Sequence, residues 1–140
     1  MVKEATIYIT KTDRERLGAL IERVRDQNDR GNLRYINTLD EELEFAEIVE
    51  PENIPHDVIT MRSKVRLKDI ESDRESVYSL VFPTEANSDE GMISILAPLA
   101  TAILGRRRGD IIEFQAPSRL RKLKVEEILY QPESVHEYDL

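Results

Sequence analysis

Two acidic side chains are the residues of this chain whose type and spacing could hold a metal ion. Asp26 and Asp29 lie in or beside the polar run 27–32 (Gln-Asn-Asp-Arg-Gly-Asn), whose composition is typical of a turn. Carboxylate oxygens are the ligands that a hard divalent cation such as Mg²⁺ prefers. The same residue types also populate solvated turns, where they bond to the neighbouring backbone. We predict a solvated turn here, and no metal or cofactor site.

The rest of the sequence contains no catalytic motif. There is no P-loop, no Gly-x-Ser-x-Gly sequence and no pair of histidines at zinc-binding spacing. His56 and His136 are far apart along the chain, and His56, between Pro55 and Asp57, is typical of a local turn. The absence of cysteine excludes disulfide bonds and thiolate chemistry. We therefore predict no catalytic residue, and we do not expect an enzyme.

Net charge favours protein partners over duplex DNA. The formal net charge is −8, whereas binding to phosphates is driven by Lys and Arg. A basic cluster nevertheless occurs in the C-terminal third. It could contact nucleic acid, although it lacks the interleaved aromatic residues of single-strand binders, or an acidic protein surface, or only solvent. Its members are Arg106, Arg107, Arg108, Arg119, Arg121, Lys122 and Lys124.

A run of carboxylates occupies the second predicted helix. One interpretation is a solvated face, in which the early acidic residues are favoured by the helix dipole. The other is a negative surface that attracts a basic region of a partner, since charge steers association. Its members are Asp40, Glu41, Glu42, Glu44, Glu47 and Glu50.

The first half of the chain predicts a helical hairpin. Residues 5–10 alternate weakly and are expected to be extended, and residues 12–15 (Thr-Asp-Arg-Glu) form a capping box that begins helix one. A second capping box at residues 38–41 begins helix two, and Pro51 ends it. The helices face each other through Leu17, Leu20, Ile21 and Val24 on helix one and Leu39, Leu43 and Ala46 on helix two, with Ile36 and Val49 as further candidates.

From residue 55 onward the hydrophobic period changes to two, which predicts strands. One short helix is expected at residues 98–104, and turn clusters at residues 71–73 and 86–89 suggest antiparallel pairing. A sheet with one helix on one face is an α+β layer. The predicted strands are 63–68, 77–82, 92–96, 110–115 and 120–130.

One segment is specific enough to suggest a family. Residues 97–105 read Ala-Pro-Leu-Ala-Thr-Ala-Ile-Leu-Gly, with Pro98 at a first helical position and Gly105 where a left-handed residue closes a helix; Gly109 and Asp110 follow. This resembles the C-terminal domain of the bacterial transcript-cleavage factors GreA and GreB, roughly Ser-Pro-Leu-Ala-Arg-Ala-Leu-Leu-Gly and then Gly-Asp. Residues 54–61, 129–133 and 138–140 resemble a shorter type within this group, Rnk, the regulator of nucleoside diphosphate kinase.

The resemblance implies an architecture and a partner. The fold it implies is a short antiparallel helical hairpin (a coiled coil) in residues 1–51, followed in residues 52–140 by an FKBP-like antiparallel β-sheet domain with one short helix. The partner is RNA polymerase, with nucleic acid contacted only through it. The implied polymerase-binding residues are Leu96, Ala97, Pro98 and Thr101.

Two departures from the Gre pattern concern that docking segment. Where Gre factors have an acidic residue and Ser before the Pro, this chain has Leu96 and Ala97, and Ala is a poor N-cap. Where Gre factors have a Pro-Gly-Gly hairpin, this chain has Pro117, Ser118 and Arg119. These differences favour a docking segment of the Rnk type over one identical to that of the Gre factors.

Helix length then separates the functional hypotheses. In Gre factors, acidic residues at the tip of a long hairpin enter the polymerase secondary channel and help to hold a catalytic Mg²⁺. Here helix one would span ~24 Å at 1.5 Å per residue, about half the Gre reach. We therefore predict a regulator that competes with Gre factors at the secondary channel without stimulating cleavage. We also expect this regulator to be cytoplasmic and monomeric and to make no membrane contact. The alternatives are a cleavage factor that uses Asp26 and Asp29, a prolyl isomerase (disfavoured by few aromatic residues) and a plain protein-interaction module.

Overall fold

The computed structural model describes residues 7–137 as an α+β protein in which two helices precede a mixed sheet. Short 3₁₀ helices occur at Pro51–Asn53, Pro83–Glu85, Ser88–Glu90 and Pro132–Val135. The expectations for residues 5, 6 and 138–140 lie outside the described residues. The main elements are β1 (Tyr8–Thr10), α1 (Lys11–Asp26), α2 (Arg30–Glu44), β2 (Glu47–Val49), β3 (Lys64–Asp69), β4 (Glu75–Val81), β5 (Met92–Ser94), α3 (Pro98–Ile103), β6 (Ile111–Gln115) and β7 (Leu120–Tyr130).

Helix α1 begins earlier than predicted, directly at the end of β1. Its N-cap is Thr10, whose Oγ1 accepts a hydrogen bond from the backbone N–H of Asp13 at 3.1 Å. The predicted capping box at residues 12–15 is therefore wrong, because Thr12 already lies inside the helix. The helix starts where the extended strand ends and a threonine is available to satisfy an orphan N–H.

Helix α2 is also shifted towards the N-terminus. It begins at Arg30, directly after the turn, and Thr38 lies within it, where its hydroxyl donates to the carbonyl oxygen of Arg34 at 3.1 Å. The predicted second capping box is thus wrong. So is the predicted end at Pro51, because the helix ends at Glu44 and the chain continues as β2, parallel to β1. Glu47 and Glu50 are therefore not helical.

The two helices pack as an antiparallel hairpin through the predicted apolar face. Leu17, Leu20, Ile21 and Val24 of α1 are buried, as are Ile36, Leu39 and Leu43 of α2. At the solvent edge, the guanidinium of Arg25 donates to Asn37 at 3.0 Å and to Asp40 at 3.1 Å. The apolar face was readable from the sequence because i, i+3, i+4 spacing is a local property of a helix.

The five-stranded sheet has the order β5-β4-β3-β7-β6. The pairs β3–β4, β3–β7 and β6–β7 are antiparallel, whereas β4 and β5 are parallel. The prediction of a wholly antiparallel sheet is therefore wrong at this edge. The loop containing Pro83–Glu85 and Ser88–Glu90 carries the chain back, so that β5 enters the sheet in the direction of β4.

The hairpin and the sheet share one apolar core. Leu17 and Ile36 of the hairpin belong to the same buried cluster as Leu67, Ile103 and Val125 of the second part of the chain. Helix α3 lies between α2 and β6 and contacts both. This shared core positions the hairpin relative to α3. The division into residues 1–51 and 52–140 stays a prediction.

Candidate docking face and hairpin tip

The start of α3 is an exposed proline held by the loop before it. Pro98 is the first residue of the helix and is exposed, and Ala97 at the N-cap offers no side-chain bond to the helix. Ser94 stabilises the turn instead. Its Oγ accepts from the N–H of Leu96 at 3.1 Å, and its carbonyl oxygen accepts from the N–H of Ala97 at 2.8 Å. Ser94 thus holds the loop that leads into the helix, whereas the first turn of α3 has no side-chain cap.

The four residues predicted to bind the polymerase divide into two groups. The side chains of Leu96 and Thr101 are buried, with 8% and 5% of their surface exposed, and the Thr101 hydroxyl donates to the carbonyl oxygen of Ile95 at 2.7 Å. Ala97 is half-buried and Pro98 is exposed. A partner can therefore touch Ala97 and Pro98, whereas Leu96 and Thr101 hold the helix in place.

Gly105 connects the end of α3 to the base of the hairpin. Its φ of +79° is in the left-handed region, as predicted from its place after the helix. A Cβ at this position would lie 2.8 Å from the Cβ of Ile7 and 3.1 Å from the carbonyl oxygen of Tyr8. The Tyr8 N–H donates to the Gly105 carbonyl oxygen at 3.3 Å. The absence of a side chain lets the hairpin base contact α3 closely.

The turn after α3 is confirmed at the predicted place. Gly109 has a φ of +93°, and the Asp110 carboxylate accepts from the N–H of Arg107 at 2.9 Å. The Gly109 N–H donates to the carbonyl oxygen of Val125 at 2.8 Å. The turn therefore fixes the start of β6 against β7.

A cleft of about 440 Å³ is lined by residues of α2, α3 and β6 and of the loop between α3 and β6. Glu42 lines it on the α2 side and Ala102 on the α3 side, one helical turn beyond Pro98. The candidate docking face, the exposed start of α3, and the acidic helix α2 are thus neighbours on one side of the molecule. The remaining lining residues are Arg106, Asp110, Ile111, Ile112 and Glu113.

The tip of the hairpin is a tight, solvated turn. Asn28 has a φ of +52°, and Asp26 and Asp29 are both exposed. The Asp29 carboxylate accepts a hydrogen bond from the Asn32 side chain at 2.8 Å. Among residues 7–137, no three Asp, Glu, His or Cys side chains come together in a set that could hold a metal ion. Asp29 thus forms a hydrogen bond within the turn.

Much of the predicted basic cluster is used inside the fold. Asp69, almost fully buried, accepts from the Nε of Arg121 at 2.9 Å and lies 3.6 Å from Arg119. The bond from Arg121 lowers the pKa of Asp69. The guanidinium of Arg107 lies 4.9 Å from the centre of the Tyr8 ring. Three of the basic residues thus tie strands and loops together.

The sequence did not reveal that a buried acidic side chain, Asp13, joins the hairpin to the rest of the chain. We call the contact of Asp13 with Met61 the acidic joint. Asp13 is 5% exposed, and its carboxylate accepts from the backbone N–H of Met61 at 3.1 Å. Burial raises its pKa to about 7. Nearby, Glu133 accepts from the Thr60 hydroxyl at 2.7 Å, and burial raises its pKa as well. The only local signal was an acidic residue three positions after Thr10.

Two family profiles match the chain in succession. The profile "Rnk N-terminus" matches residues 6–49, and "Transcription elongation factor, GreA/GreB, C-term" matches residues 54–130, more than half of the chain. The chain belongs to the GreA/GreB family. The docking face and the cleft wall formed by α3 and β6 lie in the GreA/GreB segment, whereas the hairpin lies in the Rnk segment.

Relatives match over most of their length. The regulator of nucleoside diphosphate kinase of Escherichia coli (strain K12) is 35% identical over 134 residues, which cover 95% of this chain and 96% of that protein. GreA of a Nitratiruptor species is 32% identical over 136 residues, covering 87% of this chain and 83% of GreA. These homologues support a regulator of the transcription elongation factor type.

A solved structure supports the same fold. The structure described as "Prokaryotic transcription elongation factor GreA/GreB from Nitrosomonas europaea" has a TM-score of 0.73 and 36% identity, and the match covers 89% of this chain and all of that chain. The α+β architecture is therefore of the GreA/GreB kind. Within residues 7–137, no helix is both long and apolar enough to cross a membrane.

Proposed function

We propose that this protein binds RNA polymerase at the rim of the secondary channel and competes there with Gre factors, without stimulating RNA cleavage. The observation that carries the proposal is a short hairpin attached to a domain that matches the GreA/GreB profile. A domain in common with Gre factors favours a common binding site on the polymerase. A shorter hairpin would place its tip farther from the active centre.

The reach of the hairpin argues for competition. Helix α1 has 16 residues and therefore extends about 24 Å. Gre hairpins are about twice as long, so the tip of this one stops short of the position that Gre carboxylates occupy. Asp29 is also engaged with Asn32 at 2.8 Å. Occupying the entrance is enough to exclude a Gre factor, because the two would use the same rim.

The docking contact is assigned to the exposed start of α3. Ala97 and Pro98 present a small apolar surface that a partner can cover, while Leu96 and Thr101 fix its position from below. The acidic side of α2 adjoins this face across the cleft. Glu41 and Glu44, elsewhere on the same helix, are exposed, and we assign them a steering role towards a basic rim.

Two other functions differ from this proposal in the reach of the hairpin tip or in the affinity for RNA polymerase. A cleavage-stimulating factor would need Asp26 and Asp29 to reach the active centre. A plain protein-interaction module would keep the exposed Pro98 but would show no affinity for RNA polymerase. We also expect the sheet domain to be FKBP-like, and the protein to be monomeric and cytoplasmic.

The test is competition on a stalled polymerase. GreA-stimulated shortening of RNA in a backtracked elongation complex is measured with increasing amounts of this protein. We expect slower cleavage in proportion to its concentration and recovery when GreA is added in excess. Inhibition that ignores the GreA concentration would indicate a separate site, and a failure to bind core polymerase in a pull-down would reject the proposal.

A further inference from the structure

Phe45 is the most exposed large hydrophobic side chain in the described part of the chain. It follows the last residue of α2, and 81% of its surface is accessible, whereas Leu43 is buried and Ala46 packs against the core. Burying a Phe side chain is normally worth a few kcal/mol, so an aromatic ring kept in water is available to a partner. Single exposed apolar residues are common, and the surroundings of the ring decide its meaning.

Next to Phe45 lies an unpaired strand edge. Strand β2 pairs only with β1 among the described strands. The N–H of Glu47 donates to the Ile7 carbonyl oxygen at 2.9 Å, on the β1 side. Because N–H groups of consecutive strand residues point to opposite edges, the N–H and carbonyl of Ile48 face away from β1. Ile48 is also 43% exposed. An exposed aromatic ring, an exposed aliphatic side chain and a backbone edge without a partner among the described strands thus fall within four consecutive residues.

The charge around this edge indicates which kind of partner would bind there. Glu41, Glu44, Glu47 and Glu50 are exposed, and none of them forms an ion pair with another residue of the range 7–137. Exposed carboxylates that lack an ion-pair partner attract a cationic group of another molecule. A basic segment that also carries an apolar side chain therefore complements the patch.

The position of the patch argues for the same partner as the docking face. Phe45 lies one helical turn beyond Glu42, which faces Ala102 of α3 across the cleft. Ala102 in turn lies one helical turn beyond the exposed Pro98. Phe45 and Pro98 are thus each about one helical turn from a residue that lines the cleft, so a large partner that covers the cleft can reach both.

Resting on the proposed function, we propose that Phe45, Ile48 and the free edge of β2 form a second contact surface for RNA polymerase, which takes a basic segment of the enzyme. We call this surface the hairpin-base patch. Pro98 and the hairpin-base patch act as two anchors, one on each side of the cleft.

Photo-crosslinking of the full-length protein tests the inference directly. In the variant Phe45→p-benzoylphenylalanine, irradiation with core RNA polymerase should produce a crosslink, and mass spectrometry should place it in a segment rich in Lys and Arg. A crosslink to an acidic or uncharged segment, or to a second copy of this chain, would overturn the inference.

Affinity measurements provide the second arm. Phe45→Ser should weaken binding to core polymerase about tenfold, a loss typical of a central aromatic residue in an interface. Leu120→Ser removes a matched exposed side chain, 47% accessible and outside both surfaces, and should leave affinity unchanged. Both variants should melt within about 3 °C of the wild type, because exposed substitutions cost little stability.

The outcomes separate the inference from the function on which it rests. If the wild type binds polymerase and Phe45→Ser binds equally well, the hairpin-base patch is not a contact surface and the docking proposal stands. If the wild type does not bind polymerase, the proposed function fails and the inference fails with it.

Discussion

The carboxylate of Asp13, in the first turn of α1, accepts a hydrogen bond from the backbone N–H of Met61 at 3.1 Å. This bond joins the hairpin to the sheet domain through a buried acidic group, whose pKa is raised by burial to about 7. Glu133 raises it further by repulsion, and Arg16 opposes the shift. The protonation state of one side chain is thereby linked to the contact between the two parts of the fold.

Stability is therefore expected to decrease between acidic and neutral pH on account of Asp13. Its pKa in the folded protein, about 7, lies above the ordinary value of 3.8, so the folded state holds the proton more tightly. This contribution is fully present below pH ~4 and is lost as the pH rises through 7, a change on the order of a few kcal/mol. Asp13→Asn keeps an oxygen acceptor for Met61 and should flatten the profile in urea unfolding followed by circular dichroism.

A remaining shallow slope of the same sign is expected in Asp13→Asn, because the pKa of Glu133 is raised as well. Asp26→Asn, at the exposed hairpin tip, serves as the control and should leave the profile of the wild type unchanged. An Asp13→Asn profile identical to that of the wild type would show that the acidic joint does not titrate in this range.

The exposed proline of α3 should contribute to binding without contributing to the core. Pro98→Asn is expected to weaken affinity for core polymerase about tenfold while the melting temperature changes by no more than a few degrees. The measurement is binding by fluorescence anisotropy together with thermal unfolding. Pro117→Asn, an exposed proline between β6 and β7, is the matched control. A collapse of stability in Pro98→Asn would place Pro98 in the core.

The hairpin tip should be dispensable for chemistry. A backtracked elongation complex incubated with this protein and Mg²⁺ should shorten its RNA no faster than the complex alone. The double variant Asp26→Asn with Asp29→Asn should compete with GreA as well as the wild type does. Rapid shortening that disappears in the double variant would instead establish a cleavage factor and contradict the argument from hairpin length.

The acidic residues at the hairpin base should act mainly through long-range attraction. Charge reversal of Glu41, Glu44 and Glu47 to Lys should weaken competition at low salt and matter less at high salt, because ordinary ionic strength screens charges over ~8–10 Å. The readout is inhibition of GreA-stimulated cleavage across a salt series. A double variant, Glu41→Lys with Glu44→Lys, is compared with a control that reverses the same number of charges elsewhere. The control is Asp89→Lys with Glu90→Lys, in the loop before β5. Equal effects of the two pairs would return these glutamates to the role of a solvated face.

Two glycines with similar backbones should respond differently to substitution. Gly105→Ala introduces a Cβ 2.8 Å from the Cβ of Ile7 at a φ of +79°, whereas Gly109→Ala, at a φ of +93°, meets no atom within 4 Å. Backbone strain alone costs about 1–2 kcal/mol. Gly105→Ala should exceed Gly109→Ala by at least ~1 kcal/mol in urea unfolding, since it also displaces the base of the hairpin. Equal losses would show that β1 moves away freely.

Local patterns in the sequence predicted most of the elements and the apolar faces. Leu17 and Ile21 repeat with the helical period, and the strand β7 has the predicted bounds, because these signals lie within a few consecutive residues. The helix ends were missed because Thr12 and Thr38 each precede an acidic residue at capping-box spacing, whereas the cap that forms is Thr10, where β1 ends. Competing caps are decided by the surrounding fold.

The unpredicted features all depend on distant partners. Strand β2 is three residues long and forms because β1 lies beside it. Asp13 is buried because Met61 meets it from the other part of the chain. The burial of Leu96 beneath the exposed Pro98 depends on how α3 packs on the sheet, which alternation along the strand does not specify.

The parallel pair β1–β2 anchors the hairpin at one end, and the short turn around Asn28 closes the other. Between these two ends α1 and α2 pack on each other, and α2 also contacts α3. Inserting one helical turn into each arm would advance the tip by about 5.4 Å and leave the strand pair and α3 unaltered. The number of helical turns thus sets the reach of the tip, whereas the strand pair sets where the hairpin joins the rest of the protein.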